Sequence, residues 1–279
     1  MREIEYNTIV DTVARLCMEA NYFLGDDVVN ALKQALTKEE SEAGKNILNQ
    51  LLKNAEIAKT EKIPICQDCG FAVVFVELGE EVFVKGNLFN AIKDGVSKGY
   101  TDGYLRKSIV ADPVRGKNTG DNTPPIVHTT FVPGDKIKIT VAPKGGGSEN
   151  MSEVKMMKPA DGIEGVKNFV VDRVMRSSSN PCPPTVIGVG IGGTFEHVAF
   201  LAKKALLRDI GQRHPDPFYA DVERELLERI NSLGIGPMGL GGRTTALDVF
   251  IEVHPRHIAS FPVAVNTNCH AARHKSAVI

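Results

Sequence analysis

The opening sixty residues place apolar side chains at helical spacing. Ile9, Val13, Leu16 and Ala20 repeat at intervals of three and four, with Cys17 on the same side as core filling, and this predicts an amphipathic helix. A second helix should open at Asp26 or Asp27 as its cap and run through Val28, Leu32 and Leu36. A third should carry Ile47, Leu48, Leu51 and Leu52. After that the pattern changes. FAVVFVELG is a continuous apolar run that suits a buried strand, and NLFNAIKDGVSKGY returns to helical spacing. PIVHTTFVPGDKIKITVAPKG has the form of two strands joined by a Pro-Gly-Asp turn. Beyond residue 150, a helix around GVKNFVVDRVM leads to the strand PTVIGVGIGG, the helix FEHVAFLAKKALL and the charged helix YADVERELLERINSLG. Two strand-like runs, ALDVFIEV and FPVAVNTN, close the chain. The expected class is mixed α and β (α+β), with an N-terminal helical region over 1–60 and an α/β domain over 61–279, or one continuous domain. No internal repeat or low-complexity segment interrupts it.

Composition narrows the function classes. With 279 residues, 42% hydrophobic and 24% charged, the chain can bury a sizeable core and has no signature of disorder. Thirty-three basic residues against thirty-four acidic ones give a net charge of -1, so no overall basic field attracts nucleic acid or an anionic membrane. MREIEYNTIV lacks the basic and apolar segments of a leader, and no run approaches the roughly 20 apolar residues of a membrane span. A cytoplasmic location is expected. Five cysteines, an odd number without an export signal, argue for reduced thiols rather than a disulfide framework.

Three glycine clusters offer backbone to a ligand. GVGIGG matches G-x-G-x-x-G through Gly188, Gly190 and Gly193, between a strand and a helix. The second strand and the acidic residue about 20 positions later that a dinucleotide site needs do not follow. A tight strand-to-helix turn is the better reading, although a helix N-terminus can still hold a small carboxylate. PKGGGSEN and GIGPMGLGGRTTALD are the other two clusters. Each alone is a loop; together they favour a polar, backbone-lined pocket for a small anion.

Cys66 and Cys69, in KIPICQDCGF, stand two residues apart and admit three readings: half a zinc knuckle, a thiol redox couple, or a corner of an iron–sulfur site. No second close cysteine pair exists to complete a zinc knuckle, although His254 and His257 in HPRH could serve. A redox couple would leave Cys182 in SSSNPCPPT and Cys269 in VNTNCHAAR without a role. Single cysteines from three remote loops are what a cubane cluster with one iron free of protein ligands would need. At this level all three chemistries stay open.

CQDCGF, KGGGSEN, PCPPTVIGVGIGGT, GIGPMGLGGRTTALDV and RHIASFPVAVNTNCHAAR resemble, in order and spacing, the iron–sulfur hydro-lyase family of class I fumarate hydratases and L(+)-tartrate dehydratases. The likeness runs from about residue 60 to the C-terminus. It implies a 4Fe-4S cluster on Cys66, Cys182 and Cys269, with one iron not ligated by protein and open to substrate as a Lewis acid. By the same resemblance Gln67, Asp68, Arg106, Gly147 and His257 bind substrate or assist proton transfer. Relatives commonly carry threonine where this chain has Cys69, which leaves that thiol as a bystander, a site of oxidative damage or an alternative ligand.

The implied reaction is reversible hydration of fumarate to (S)-malate; the alternative is the matching reaction of L(+)-tartrate dehydratase. A different class, a zinc or thiol-redox binding protein using Cys66 and Cys69, is the competing expectation. Single-chain members of the family continue into a further domain, whereas this sequence stops ten residues after Cys269. The resemblance therefore implies an alpha subunit, incomplete without a beta subunit, in a hetero-oligomer acting on a small dicarboxylate.

Overall fold

The structure is a computed structural model that describes residues 1–279. In chain order its elements are β1 (Arg2–Glu5), α1 (Tyr6–Tyr22), α2 (Asp26–Lys38), α3 (Glu42–Glu61), β2 (Phe71–Gly79), β3 (Val82–Lys85) and α4 (Leu88–Asp102). Then follow β4 (Ile126–Val132), β5 (Ile137–Lys144), the single-turn α5 (Gly146–Glu149), β6 (Glu153–Met157) and α6 (Gly162–Ser177). The last third holds β7 (Thr185–Gly193), α7 (Phe195–Ala205), α8 (Pro217–Asn231), β8 (Ala246–Arg256), β9 (Phe261–Asn268) and β10 (Lys275–Val278). The mixed α and β class read from the sequence is what the chain adopts. No helix is long and apolar enough to cross a membrane.

The chain divides into two compact units. The first comprises Met1–Leu24, Asn54–Gly146 and Arg273–Ile279. Its four-stranded sheet has the order β10-β5-β2-β4, with β2 parallel to β4 and antiparallel to β5. The apolar run of β2 is buried because Ala72, Val74 and Val76 meet Ile9, Val13, Leu16 and Cys17 of α1 and Ile92, Val96 and Tyr100 of α4 in one core. The two strands expected around the Pro-Gly-Asp turn do form, yet they do not pair with each other, since β2 lies between them. The turn straddles the end of β2 instead: the Gly79 amide donates to the Lys136 carbonyl at 2.9 Å and the Glu81 amide to the Gly134 carbonyl at 3.0 Å. The parallel ribbon of β1 with β3, as well as β6 and β10, carried too few residues to stand out in the apolar pattern.

The second unit comprises Gly25–Lys53 and Gly147–Ala272. Its sheet has the order β6-β9-β7-β8, with β7 parallel to β8 and antiparallel to β9. Ile187 and Val189 of β7 join Val249 and Ile251 of β8, Val166 and Val170 of α6 and Leu226 and Ile230 of α8 in its core. The glycines of GVGIGG all lie within β7 rather than in a turn after it. A Cβ at Gly188 would stand 2.1 Å from the Ala202 carbonyl oxygen, and one at Gly190 2.2 Å from that of Val198. Gly188 and Gly190 are small so that α7 can lie directly on the strand, and Gly192 and Gly193 take φ of 90° and 71°, where glycine is favoured; packing and backbone conformation account for the motif without a phosphate.

Candidate active site

The segment that connects α3 to β2 carries the C-Q-D-C-G motif, all of it in the first unit, and its geometry is dense with hydrogen bonds. Asp68 anchors it: Oδ1 accepts the Gly70 amide at 2.9 Å and Oδ2 accepts the Gly146 amide at 2.7 Å. The Asp68 amide donates to Cys66 Sγ at 3.4 Å, and that thiol lies 3.3 Å from Gln67 Oε1. Tyr100, fully buried on α4, donates its hydroxyl to the carbonyls of Cys69 (2.7 Å) and Gly70 (3.0 Å). Asn122 amide nitrogen donates to the Gly70 carbonyl at 3.1 Å, while its oxygen accepts the Ser108 amide at 2.7 Å. A loop that holds many polar groups without a partner strand is thus fully tied down.

The two cysteines of the motif are not equivalent. Cys66 is half-buried, whereas Cys69 is 1% exposed and packs within the core of the unit. Burial pushes the Cys69 thiol up from its ordinary range, opposed in part by the hydrogen bond from the Arg106 amide. Cys69 Sγ accepts that amide at 3.1 Å and itself donates to the Cys66 carbonyl at 3.7 Å. Arg106 follows the buried Leu105 and is itself exposed, and its guanidinium makes no ion pair. The surface ion pair that such an arginine would otherwise form is absent, so its five donors are free for an anion.

Arg273, four residues after Cys269, closes the motif NTNCHAAR and is a functional candidate that the local pattern does not single out. It is 5% exposed, donates through Nη2 to the Asp68 carbonyl, and keeps Nε and Nη1 buried without a partner. Only its position in a quoted motif could have drawn notice, since nothing local marks an arginine as buried.

In the second unit, Cys182 is exposed and Cys269 half-buried. Cys182 has φ 54°, in the left-handed region that non-glycine residues seldom adopt. Its carbonyl accepts the His270 amide at 3.2 Å and lies 3.2 Å from His270 Nδ1. The PCPP and NCH loops are therefore fastened to each other through the residue beside Cys269, a link that adjacency to a cysteine could have suggested. His257 sits exposed in the loop between β8 and β9. Its Nδ1 accepts the Ala259 amide at 3.2 Å, and Arg256 Nη1 clamps the loop through the carbonyls of His257, Ile258 and Ser260. With Nδ1 accepting, the neutral ring carries its proton on Nε2. Gly147, the second residue of α5, is exposed, and a Cβ there would meet only the Asn180 carbonyl oxygen at 3.8 Å.

The donors suit an iron–sulfur group better than a closed zinc site. Three cysteines stand partly or wholly exposed, in contrast to Cys17, whose sealed thiol is pushed up to about 12 by burial. A zinc knuckle on Cys66 and Cys69 needs two further ligands. The Cys69 sulfur is engaged by backbone on two sides and is not free to be a ligand; no three His, Cys, Asp or Glu side chains are grouped in a metal-binding arrangement, for zinc or for a cluster. The buried cationic Arg273 against the Cys66–Asp68 turn favours an anionic group there.

The family model described as Fumarate hydratase (Fumerase) matches residues 10–278. A protein of Methanocaldococcus jannaschii, provisionally named L(+)-tartrate dehydratase subunit alpha, is 47% identical over 272 residues, covering 95% of this chain and 95% of its own. L(+)-tartrate dehydratase subunit alpha of Escherichia coli and that of Shigella sonnei are each 37% identical over 270 residues, covering 96% of this chain and 89% of theirs. The chain belongs to the fumarate hydratase (fumerase) family, and the particular relatives it is similar to are alpha subunits.

Proposed function

We propose that this chain is the cluster-bearing alpha subunit of a hydro-lyase that adds and removes water reversibly across the central carbons of a four-carbon dicarboxylate. Cys66, Cys182 and Cys269 are the thiolates that hold its 4Fe-4S cluster. When bound, that cluster would supply Lewis-acid chemistry for loss or addition of the hydroxyl group. Arg106 receives the distal carboxylate through paired guanidinium N–H donors. Gln67 and the Gly147 amide add neutral donors that orient the same substrate, and His257 holds a proton at Nε2 on the substrate side. Asp68 acts chiefly by keeping the turn rigid, its two oxygens already holding one amide each, and retains lone pairs toward a nearby proton.

The observation that most supports this reading is the Arg106 guanidinium, exposed and unpaired, carried on backbone that hydrogen-bonds within the motif of Cys66. Hydration of fumarate to (S)-malate agrees with the family to which the chain belongs. Dehydration of L(+)-tartrate is the second reading, favoured by the names of relatives 37% and 47% identical to it. Those names also motivate a beta subunit as partner, and a thiolate-held cluster suits a reducing compartment such as the cytoplasm. The test is anaerobic purification with the co-expressed beta subunit, iron and sulfide analysis, and assay on fumarate and on L(+)-tartrate. Iron and acid-labile sulfide in equal amounts with turnover of one substrate support the proposal. One zinc in place of iron, or no turnover of either substrate by the complex, overturns it.

A further inference from the structure

We infer that Cys69 is a positioning residue, whose Sγ ties the backbone of Cys66 to the backbone of Arg106 and so fixes the arginine relative to the first cysteine of the motif. The inference rests on the functional reading above for the roles of those two residues, and on geometry for the tie itself. Arg106 lies 37 positions beyond Cys69, yet its amide donates to Sγ at 3.1 Å. The same sulfur donates its proton to the Cys66 carbonyl at 3.7 Å. One atom therefore serves as acceptor for one segment and donor for the other.

The surroundings make that atom a fixed point. Cys69 is 1% exposed, and Tyr100 holds its carbonyl at 2.7 Å. The Leu105 amide donates to the Tyr100 carbonyl at 3.1 Å, so the residue before Arg106 is fastened to the same helix. Downstream, the Lys107 carbonyl accepts from Asn118 at 2.9 Å and the Ser108 amide donates to Asn122 at 2.7 Å; at Arg106 itself the amide is held by Cys69 Sγ. A guanidinium reaches its carboxylate at the end of a long side chain, so a small rotation of the backbone displaces the head group by a larger distance. Misplacement of a binding group by about 1 Å can cost as much as 10²-fold in rate. A sulfur engaged with backbone on two sides, inside the core, is also poorly placed to ligate iron, which requires a deprotonated thiolate.

Threonine and valine at position 69 have the same shape, but only threonine can accept the Arg106 amide and donate to the Cys66 carbonyl. The experiment compares Cys69→Thr with Cys69→Val in the complex with the beta subunit, prepared anaerobically. Four quantities are read: iron content, KM, kcat, and hydrogen exchange of the Arg106 amide by mass spectrometry. Both variants should keep wild-type iron. Cys69→Val should raise KM by about 10-fold and speed exchange at Arg106 by a similar factor, the scale set by losing one or two hydrogen bonds. Cys69→Thr should stay within about 3-fold of wild type in both. Equal KM and equal exchange in the two variants would overturn the inference, as would loss of iron from both. A wild-type complex without iron or turnover would remove the functional reading, while the exchange comparison would still decide whether Cys69 holds Arg106. If Cys69→Val fails to fold, Cys69→Ser against Cys69→Ala puts the same question at smaller volume.

Discussion

The carboxylate of Asp68 accepts the backbone amide of Gly146 at 2.7 Å, across 78 positions of sequence. The residue directly after Cys66 and Gln67 is thereby fastened to the glycine run that follows β5, and its second oxygen closes the turn on Gly70 at 2.9 Å. A side chain that could have been free for chemistry serves first as a brace.

That brace can be tested by Asp68→Asn. The amide keeps one acceptor oxygen but turns an NH2 group toward a backbone N–H, leaving one amide without an acceptor. Urea unfolding should show a loss of about 1–2 kcal/mol, within the range for an unsatisfied group at a part-buried site. Unchanged stability would mean that Asp68 is not a brace.

The cysteine assignment makes a second prediction. Cys66→Ala, Cys182→Ala and Cys269→Ala should each yield protein with almost no iron or acid-labile sulfide, because a cluster held by two thiolates is poorly retained. In wild type, air should strip the iron that lacks a protein ligand and abolish activity, and ferrous iron with a reductant should restore it. Iron retained at wild-type level in any of the three variants would remove that cysteine from the ligand set.

Arg106→Ala should leave folding untouched, since its guanidinium is exposed and unpaired in the structure, and should lower kcat/KM by roughly 10- to 100-fold, the equivalent of one charge-assisted pair. Arg106→Lys keeps the charge but loses the paired donors and should recover only part of it. Steady-state kinetics with circular dichroism as a folding control checks both statements. A kcat/KM equal to wild type in Arg106→Ala would take the arginine out of the substrate site.

Stability should fall at high pH. Burial holds the Cys17 thiol protonated up to about 12, against an ordinary value of 9.0, and the buried Tyr100 hydroxyl is likewise pushed well upward by burial. Between those values the unfolded chain releases protons that the folded chain keeps. For Cys17 the stabilisation is complete below pH 9 and is lost toward pH 12, at about 1.4 kcal/mol per pH unit; Tyr100 adds to the loss above its ordinary value of 10.0. Urea midpoints measured across that window should drop, and Cys17→Ala should show a shallower drop from a lower starting point. Equal slopes for wild type and Cys17→Ala would mean that the thiol is not sealed.

Much of the fold was legible because long elements repeat a local rule. The apolar spacing around Ile9, Val13 and Leu16, the run FAVVFVELG, and the helix and strand of PTVIGVGIGG and FEHVAFLAKKALL each announce themselves within ten or fifteen residues, the range over which a helix face or a buried strand must be consistent. The short strands β1, β3, β6 and β10 did not, because four or five residues carry no period of their own and owe their form to a neighbour. The same applies to the glycines of β7: a Gly-rich string looks alike whether it wraps a phosphate or admits a helix, and only the Ala202 and Val198 carbonyls 2.1 and 2.2 Å from the missing Cβ atoms tell the two apart.

What the sequence determined by itself was the chemistry available: which thiols lie off the apolar faces, which glycines cluster, and which ordered set of motifs ties the chain to its family. The tertiary structure decided how those groups are used. It buried Cys69 and left Cys66 accessible, although the two are three positions apart. It also set β2 between the strands of the Pro-Gly-Asp turn, and spent both oxygens of Asp68 on amides, one of them 78 positions away. Burial and hydrogen-bond partnership depend on residues distant along the chain, and no local pattern encodes which distant residue will arrive.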